Sequence, residues 1–97
     1  MEVRIYGQNL FRKGQIENQI SLIWTRKFYE PGTFELHAPI TDENLSLLQP
    51  GNIIGKKGSD EAGIIVDIEK EESDIKNEIT AKGRILLQNL FYFEIIK

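Results

Sequence analysis

The sequence predicts a mainly β domain with one short helix, and two segments carry most of that prediction. From residue 21 to residue 39, apolar and polar residues alternate with a period of two on both sides of a Pro31-Gly32 pair, which is typical of a β-hairpin. From residue 62 to residue 84, a second alternating pair of segments surrounds the turn residues 73–77. We therefore expect six or seven antiparallel strands in a small barrel-like or sandwich-like domain built from these two hairpins.

Composition limits the classes of function. The chain has 97 residues and a net charge of −3, so we expect a single domain over residues 1–97 and no nucleic-acid partner, since no basic stripe is present. No apolar run approaches the roughly 20 residues that span a membrane. The absence of cysteine excludes disulfides, thiolate nucleophiles and most structural zinc sites.

The first hairpin is apolar on both faces of its first strand. Leu22 and Trp24 share one face, while Ile23 lies on the other, so both faces need to be covered. In the second strand the inward set is Phe34, Leu36 and Ala38. The Pro31-Gly32 pair predicts a type II turn with Gly32 at positive φ.

The flanking elements are shorter. Val3 and Ile5 predict a first strand, and turn residues at Gly7-Gln8-Asn9 and at Lys13-Gly14 precede a return strand over residues 15–20. Thr41 or Asp42 can cap the helix that ends at Pro50-Gly51.

The second half contains a short buried strand at residues 52–54, a polar loop at 55–61 and the second hairpin. Its first strand runs over residues 62–72 and its second over 78–84, with a bulge or bend at Gly83. The inward set is Ile64, Val66, Ile68, Ile79 and Ala81, and the outward set is Asp67, Glu69 and Glu71. Residues 85–90 are either a helical turn or a continuation of the strand. The apolar segment 91–97 either forms a last strand or leads into more protein.

The sequence offers few residues with catalytic potential. His37 is the only histidine, and no glycine-flanked serine accompanies it, so we interpret it as a solvated strand residue rather than part of a triad. Carboxylates at 67, 69 and 71 can hold magnesium or calcium, but they lack the spacing of a calcium loop and are interpreted as a solvated face. The sequence predicts no catalytic residue, no metal site and no cofactor.

The aromatic and apolar residues of the first hairpin and of the segment 91–97 exceed what one small core can hold. Exposed apolar surface of this kind is typical of protein interfaces, whose cores are rich in aromatic residues. The residues assigned to a partner interface are Ile23, Trp24, Phe28, Tyr29, Phe91 and Phe93.

The segment SLIWTRKFYEPGTFEL at residues 21–36 is similar to the start of baseplate hub, or tail-associated, proteins of long-tailed phages and prophages of Gram-positive bacteria. Further similarities follow at residues 48–54, 62–65 and 82–84, so the resemblance covers most of the chain. Members of that family are usually several hundred residues long, and this chain resembles their N-terminal part.

The resemblance implies a hub domain that assembles as a ring, commonly a trimer, at the tail tip beneath the tube. Its partners would be copies of itself and other tail proteins, in the virion tail or in the bacterial cytoplasm when expressed from a prophage. The resemblance carries over no catalytic residue, and we do not expect an enzyme. The alternative is a small barrel that binds a ligand or an oligosaccharide, which predicts a concave aromatic cleft.

Overall fold

The computed structural model describes residues 2–9, 11–27, 32–56 and 61–86. Within them the elements follow in the order β1 (Val3–Tyr6), β2 (Arg12–Ile16), β3 (Ser21–Thr25), β4 (Thr33–Pro39), α1 (Asp42–Leu47), β5 (Ile53–Lys56), β6 (Ala62–Glu72) and β7 (Asn77–Ile85). The strands form one antiparallel sheet in the order β2-β1-β5-β6-β7-β4-β3. The predicted mainly β class with one short helix is confirmed.

The sheet is strongly curled, because its two edge strands are consecutive in the chain. In a flat sheet, six inter-strand spacings of about 4.8 Å would separate β2 from β3 by roughly 29 Å. The link of residues 17–20 spans at most about 18 Å when fully extended. The curl gives the predicted barrel-like shape, although the described strands do not close into a ring.

A contact across the concave side of the sheet also shows that the sheet is curled. The Lys56 Nζ at the end of β5 lies 4.7 Å from the centroid of the Trp24 ring in β3, although three strands separate β5 from β3 in the sheet. Arg26, just after β3, also forms an ion pair with Glu61, just before β6. The concave side of the sheet is therefore narrow enough for side chains to fill.

Apolar side chains of the concave face, together with two leucines at the end of the helix that follows β4, form the main core. Its buried members are Val3, Ile5, Ile16, Phe34, Leu36, Ala38, Leu47, Leu48, Ile54, Ile65, Ile79 and Ala81. The inward positions predicted for β4 and β7 are confirmed, since each of them is at most 2% exposed. Phe34 packs over two glycines of neighbouring strands: a Cβ added to Gly63 or Gly83 would lie 2.6 or 2.7 Å from its ring.

Helix α1 lies between β4 and β5 in the chain and packs against β2. Of the two predicted caps, Thr41 is the one used: its Oγ1 accepts a hydrogen bond from the Asn44 N–H at 3.0 Å. The buried Asn44 amide donates to the Pro39 carbonyl at 2.9 Å, and the Asn52 amide donates to the Leu47 carbonyl at 2.8 Å. These bonds satisfy polar groups at both ends of a helix that is too short to be stable alone.

The predicted alternation in β6 is wrong at its start. Ile65 is 1% exposed and Val66 is 54% exposed, whereas Ile64 and Val66 were expected inside. The cause is a β-bulge: Ile65 pairs with Gly83, and regular pairing resumes at Asp67, so Val66 is an extra residue. The bulge lies opposite Gly83, where a bulge or bend was predicted. Beyond it the predicted order returns, with Ile68 packed against the core.

Two turn predictions are also wrong. Lys13-Gly14 lies inside β2, and Gly14 leaves room for the Leu47 side chain, whose Cδ2 would be 3.1 Å from an added Cβ. Gly32 has no positive φ; among the described residues it is Gly51 that has one, at 92°. Space requires glycine at position 32 instead, because an added Cβ would lie 2.0 Å from the Thr25 carbonyl oxygen. The predictions for residues 28–31, 57–60 and 87–97 lie outside the described residues.

Candidate functional site: the convex face of the sheet

The convex face of β3, β4, β7 and β6 is divided into a charged part and a largely apolar part. The strand register places Ile23 beside Glu35 and Glu35 beside Lys82, so the two parts meet along one row. We call the charged part the charged face; its side chains line an open groove and include Glu35, His37, Glu69, Glu71, Lys76, Glu78 and Lys82.

His37 is the centre of the charged face. Its Nε2 lies 2.6 Å from a Glu35 oxygen and its Nδ1 lies 2.5 Å from a Glu78 oxygen, while the Thr80 hydroxyl lies 3.1 Å from Nδ1. The side chain is 23% exposed, so the expected solvated histidine is instead half-buried between two carboxylates. The sequence analysis did not predict the contact with Glu78, because that contact depends on the pairing of β4 with β7.

This arrangement favours the charged imidazolium. Both ring nitrogens face carboxylate oxygens, and only the protonated ring donates from both. The pKa of His37 is accordingly raised, chiefly by its hydrogen bond to Glu35 and further by Glu78, against an opposing effect of partial burial. An imidazolium that donates from both nitrogens has no lone pair with which to act as a general base.

The remaining charges of this face pair across strands. The Lys82 Nζ lies 3.2 Å from Glu69 and 3.9 Å from Glu35, and the Lys76 Nζ lies 3.9 Å from Glu71 and from Glu78. Exposed pairs of this type contribute little to stability, because water and salt screen them. In the part of the chain that the structure describes, no three acidic, histidine or cysteine side chains converge as metal ligands do.

The apolar part of the convex face lies at β3 and the bulge. Ile23 is 53% exposed and Val66 is 54% exposed, and a shallow groove with Thr25 and Thr33 on its walls runs over Gly83. Ile20, just before β3, is 59% exposed. Sequence reasoning missed Ile20 and Val66 as surface residues; for Val66, the predicted bulge at Gly83 was the available signal.

Trp24 lies on the concave side of the same strand. Its ring stacks on Phe34 with centroids 5.6 Å apart and an interplanar angle of 24°, and Lys56 covers it from the end of β5. The indole Nε1 is buried and has no hydrogen-bond partner among the described residues. Phe34 and Lys56 therefore cover the Trp24 ring, whose surface a ligand-binding cleft would need.

The six residues assigned to a partner interface divide into two groups. Ile23 and Trp24 lie next to each other in β3, one on the convex face and one on the concave face. The structure does not describe Phe28, Tyr29, Phe91 or Phe93. The structure therefore places two of the predicted interface residues on one edge strand of the sheet.

No helix in the described part of the chain is long and apolar enough to cross a membrane.

Comparisons with known proteins identify the family. No curated protein and no solved structure matches the chain. A family model described as Siphovirus ReqiPepy6 Gp37-like protein matches residues 2–92. Since this match spans nearly all of the 97 residues, the chain belongs to the siphovirus Gp37-like family.

Proposed function

We propose that this chain is a structural module of a siphophage tail tip, a baseplate hub domain that assembles into a ring of three copies beneath the tail tube. The observation that carries the proposal is a set of large apolar side chains on the surface outside β3, in a chain of siphophage type: Phe11 is 74%, Ile20 59% and Ile75 95% exposed. Large exposed apolar side chains favour contact with another chain.

The chemistry of the convex face supports a structural role over an enzymatic one. The charged face pairs its acids with His37, Lys76 and Lys82, so its charges are used in contacts between strands. Its partners in this role are copies of the same chain and other tail proteins. The protein is located in the virion tail, or in the bacterial cytoplasm when expressed from a prophage.

The location can be tested on purified phage particles. Antibodies raised against this chain and coupled to gold should label the distal end of the tail in electron micrographs. Antibodies against the major capsid protein provide the matched control, with label on the head only. Gold on the head, gold along the whole tail, or no gold on intact and detergent-opened particles would contradict a tail-tip location.

The ring can be tested by native mass spectrometry of tails that have been gently dissociated. We expect complexes with three copies of the polypeptide that contains this domain. Complexes with one copy alone, under conditions that keep other tail oligomers intact, would contradict the ring and would leave the tail-tip location untouched.

A further inference from the structure

The two edges of the sheet differ in how they are protected. β2 carries Arg12 and Lys13, and helix α1 packs against it through Leu47. β3, with the sequence SLIWT, has no charge and no proline, and in the described part of the chain it pairs only with β4. Charged residues and covering helices are the usual means of preventing a sheet edge from pairing with another strand. Among the described residues, β3 has neither.

Hydrogen bonds along β4 fix the direction of its backbone groups. The Ile85 N–H donates to the Gly32 carbonyl at 2.8 Å, so the residue pair 32–85 is a hydrogen-bonded pair of the β4–β7 ladder. Such pairs recur at every second residue of an antiparallel ladder. The backbone groups of Phe34 therefore face β7, and those of Glu35 face β3.

The same alternation fixes β3. Ile23 is the partner of Glu35, so the N–H and C=O groups of Ile23 face β4. Those of its neighbours Leu22 and Trp24 face away from β4, toward the side of β3 with which no described strand pairs. We call this side the β3 edge; it presents two N–H groups and two C=O groups from these two residues.

We infer that the β3 edge pairs with the β3 edge of a second copy, antiparallel, around a two-fold axis at Ile23. In this register Leu22 lies opposite the partner's Trp24 and Trp24 lies opposite the partner's Leu22. Each of these two pairs exchanges two backbone hydrogen bonds, so all outward groups of both residues are used. A register centred on Leu22 would place Trp24 opposite the partner's Ile20, whose N–H already donates to His37 within its own chain at 2.7 Å.

Side chains fit the same register on both faces of the sheet. On the convex face Ile23 meets the partner's Ile23, which covers a side chain that is 53% exposed in one copy. On the concave face each Leu22 meets an indole ring, an aliphatic–aromatic pair of the type that stabilises sheets. No charge stands opposite a like charge, since the residues from 21 to 25 are all neutral.

The contact is small. A pair of five-residue strands covers far less than the roughly 1,600 Å² of a typical stable complex, so association of the isolated domain is weak. A two-fold contact also joins copies in pairs and cannot close a ring of three, which requires a head-to-tail contact. The inference is therefore independent of the ring, which would use other surfaces.

The absence of cysteine allows a direct test by disulfide trapping. In Ile23→Cys, the two thiols would lie in a non-hydrogen-bonded pair with Cα atoms about 4.5 Å apart, within the disulfide range. Oxidised glutathione takes up the two electrons and two protons of the thiols and leaves as two molecules of reduced glutathione. The matched control is Val66→Cys, since Val66 is equally exposed on the same convex face but lies on an inner strand.

We expect Ile23→Cys to form the linked dimer on the order of tenfold faster than Val66→Cys at equal concentration, because association raises the local thiol concentration. Equal rates, with both variants folded by circular dichroism, would overturn the inference. If Ile23→Cys does not fold, sedimentation of Ile23→Lys replaces it. We expect that variant to stay monomeric at concentrations where the parent and Val66→Lys associate, and equal association of all three would overturn the inference. A ring seen by mass spectrometry without faster trapping at position 23 would refute this contact alone.

Discussion

The edge strands β2 and β3 are joined by residues 17–20, yet they meet solvent in different ways. β2 has two basic residues and is packed by α1, while β3 has neutral residues and exposes Ile23. Both are edge strands of the same antiparallel sheet. The comparison shows that an edge strand is protected against pairing by its own side chains and by one helix, and not by the fold as a whole.

The largest effect should come from removing the support of β3. In Gly83→Val the Cβ would lie 1.9 Å from the Ile64 carbonyl oxygen and 2.7 Å from the Phe34 ring, so Phe34 and the Trp24 stacked on it must move. We expect a loss of at least about 3 kcal/mol in the free energy of unfolding, measured by urea denaturation, together with a shift of the tryptophan fluorescence maximum.

Gly7→Val is the matched control for that prediction. A Cβ at Gly7 would be 3.0 Å from the ends of the Asn9 and Lys13 side chains, which can move aside. Similar losses at both glycines would show that the Phe34 contact has no special role in holding β3.

A smaller effect should follow from removing the cover of β2. Leu47 is 6% exposed and packs over Gly14, so Leu47→Ala should cost about 2–3 kcal/mol and should leave the tryptophan spectrum unchanged. Leu45→Ala, at a partly buried position of the same helix, should cost less. Equal losses for the two leucines would mean that α1 is not anchored to β2 through Leu47.

The sequence predicted the strands and the helix of the sheet better than the bulge and the side-chain contacts between them. Alternation and turn residues were sufficient for the second hairpin, for the helix with Thr41 as one of two caps, and for the inward positions of β4. They failed at Val66, because one extra residue in β6 inverts the alternation and period-two patterns contain no signal for it. The role of Gly14 was missed for a similar reason: it reflects a contact with Leu47, which is more than thirty residues away in the chain.

The candidate site was only partly predictable. Ile23 and Trp24 were found from the apolar character of both faces of one strand. The sequence does not show that one of them stacks on Phe34 while the other is exposed beside the charged face. That distinction, like the contact between His37 and Glu78, depends on the strand order of the sheet, which brings β3, β4 and β7 together.

Removing the cap of α1, the helix that packs against β2, should have a still smaller effect on stability. Thr41→Ala removes the oxygen that accepts the Asn44 N–H and should cost about 1 kcal/mol in the free energy of unfolding. Thr41→Ser keeps the oxygen and should cost less than half as much. If both variants behave alike, the hydroxyl is not what starts α1.

The smallest expected effect is a pH dependence of stability. It arises from His37 on β4, the strand that pairs with β3. Folding raises the pKa of His37, so its contribution to stability is fully present below about pH 6.5, its unfolded value, and is lost as the pH rises through the folded pKa. The groups that face it are Glu35 on β4 and Glu78 and Thr80 on β7. We expect the melting temperature of the parent, relative to that of His37→Gln, to fall between pH 6 and pH 8. A constant difference over that range would contradict the charged imidazolium.

Amide hydrogen exchange measured by NMR at low and high protein concentration is the most direct test of the comparison between the two edges. The amides of Leu22 and Trp24, which point away from β4, should exchange more slowly at high concentration, because a second copy protects them. The amides of β2 should exchange at the same rate at both concentrations, since that strand is already packed by α1. Exchange at Leu22 and Trp24 that does not depend on concentration, or that changes equally in β2, would contradict the assignment of β3 as the edge that joins copies of this chain.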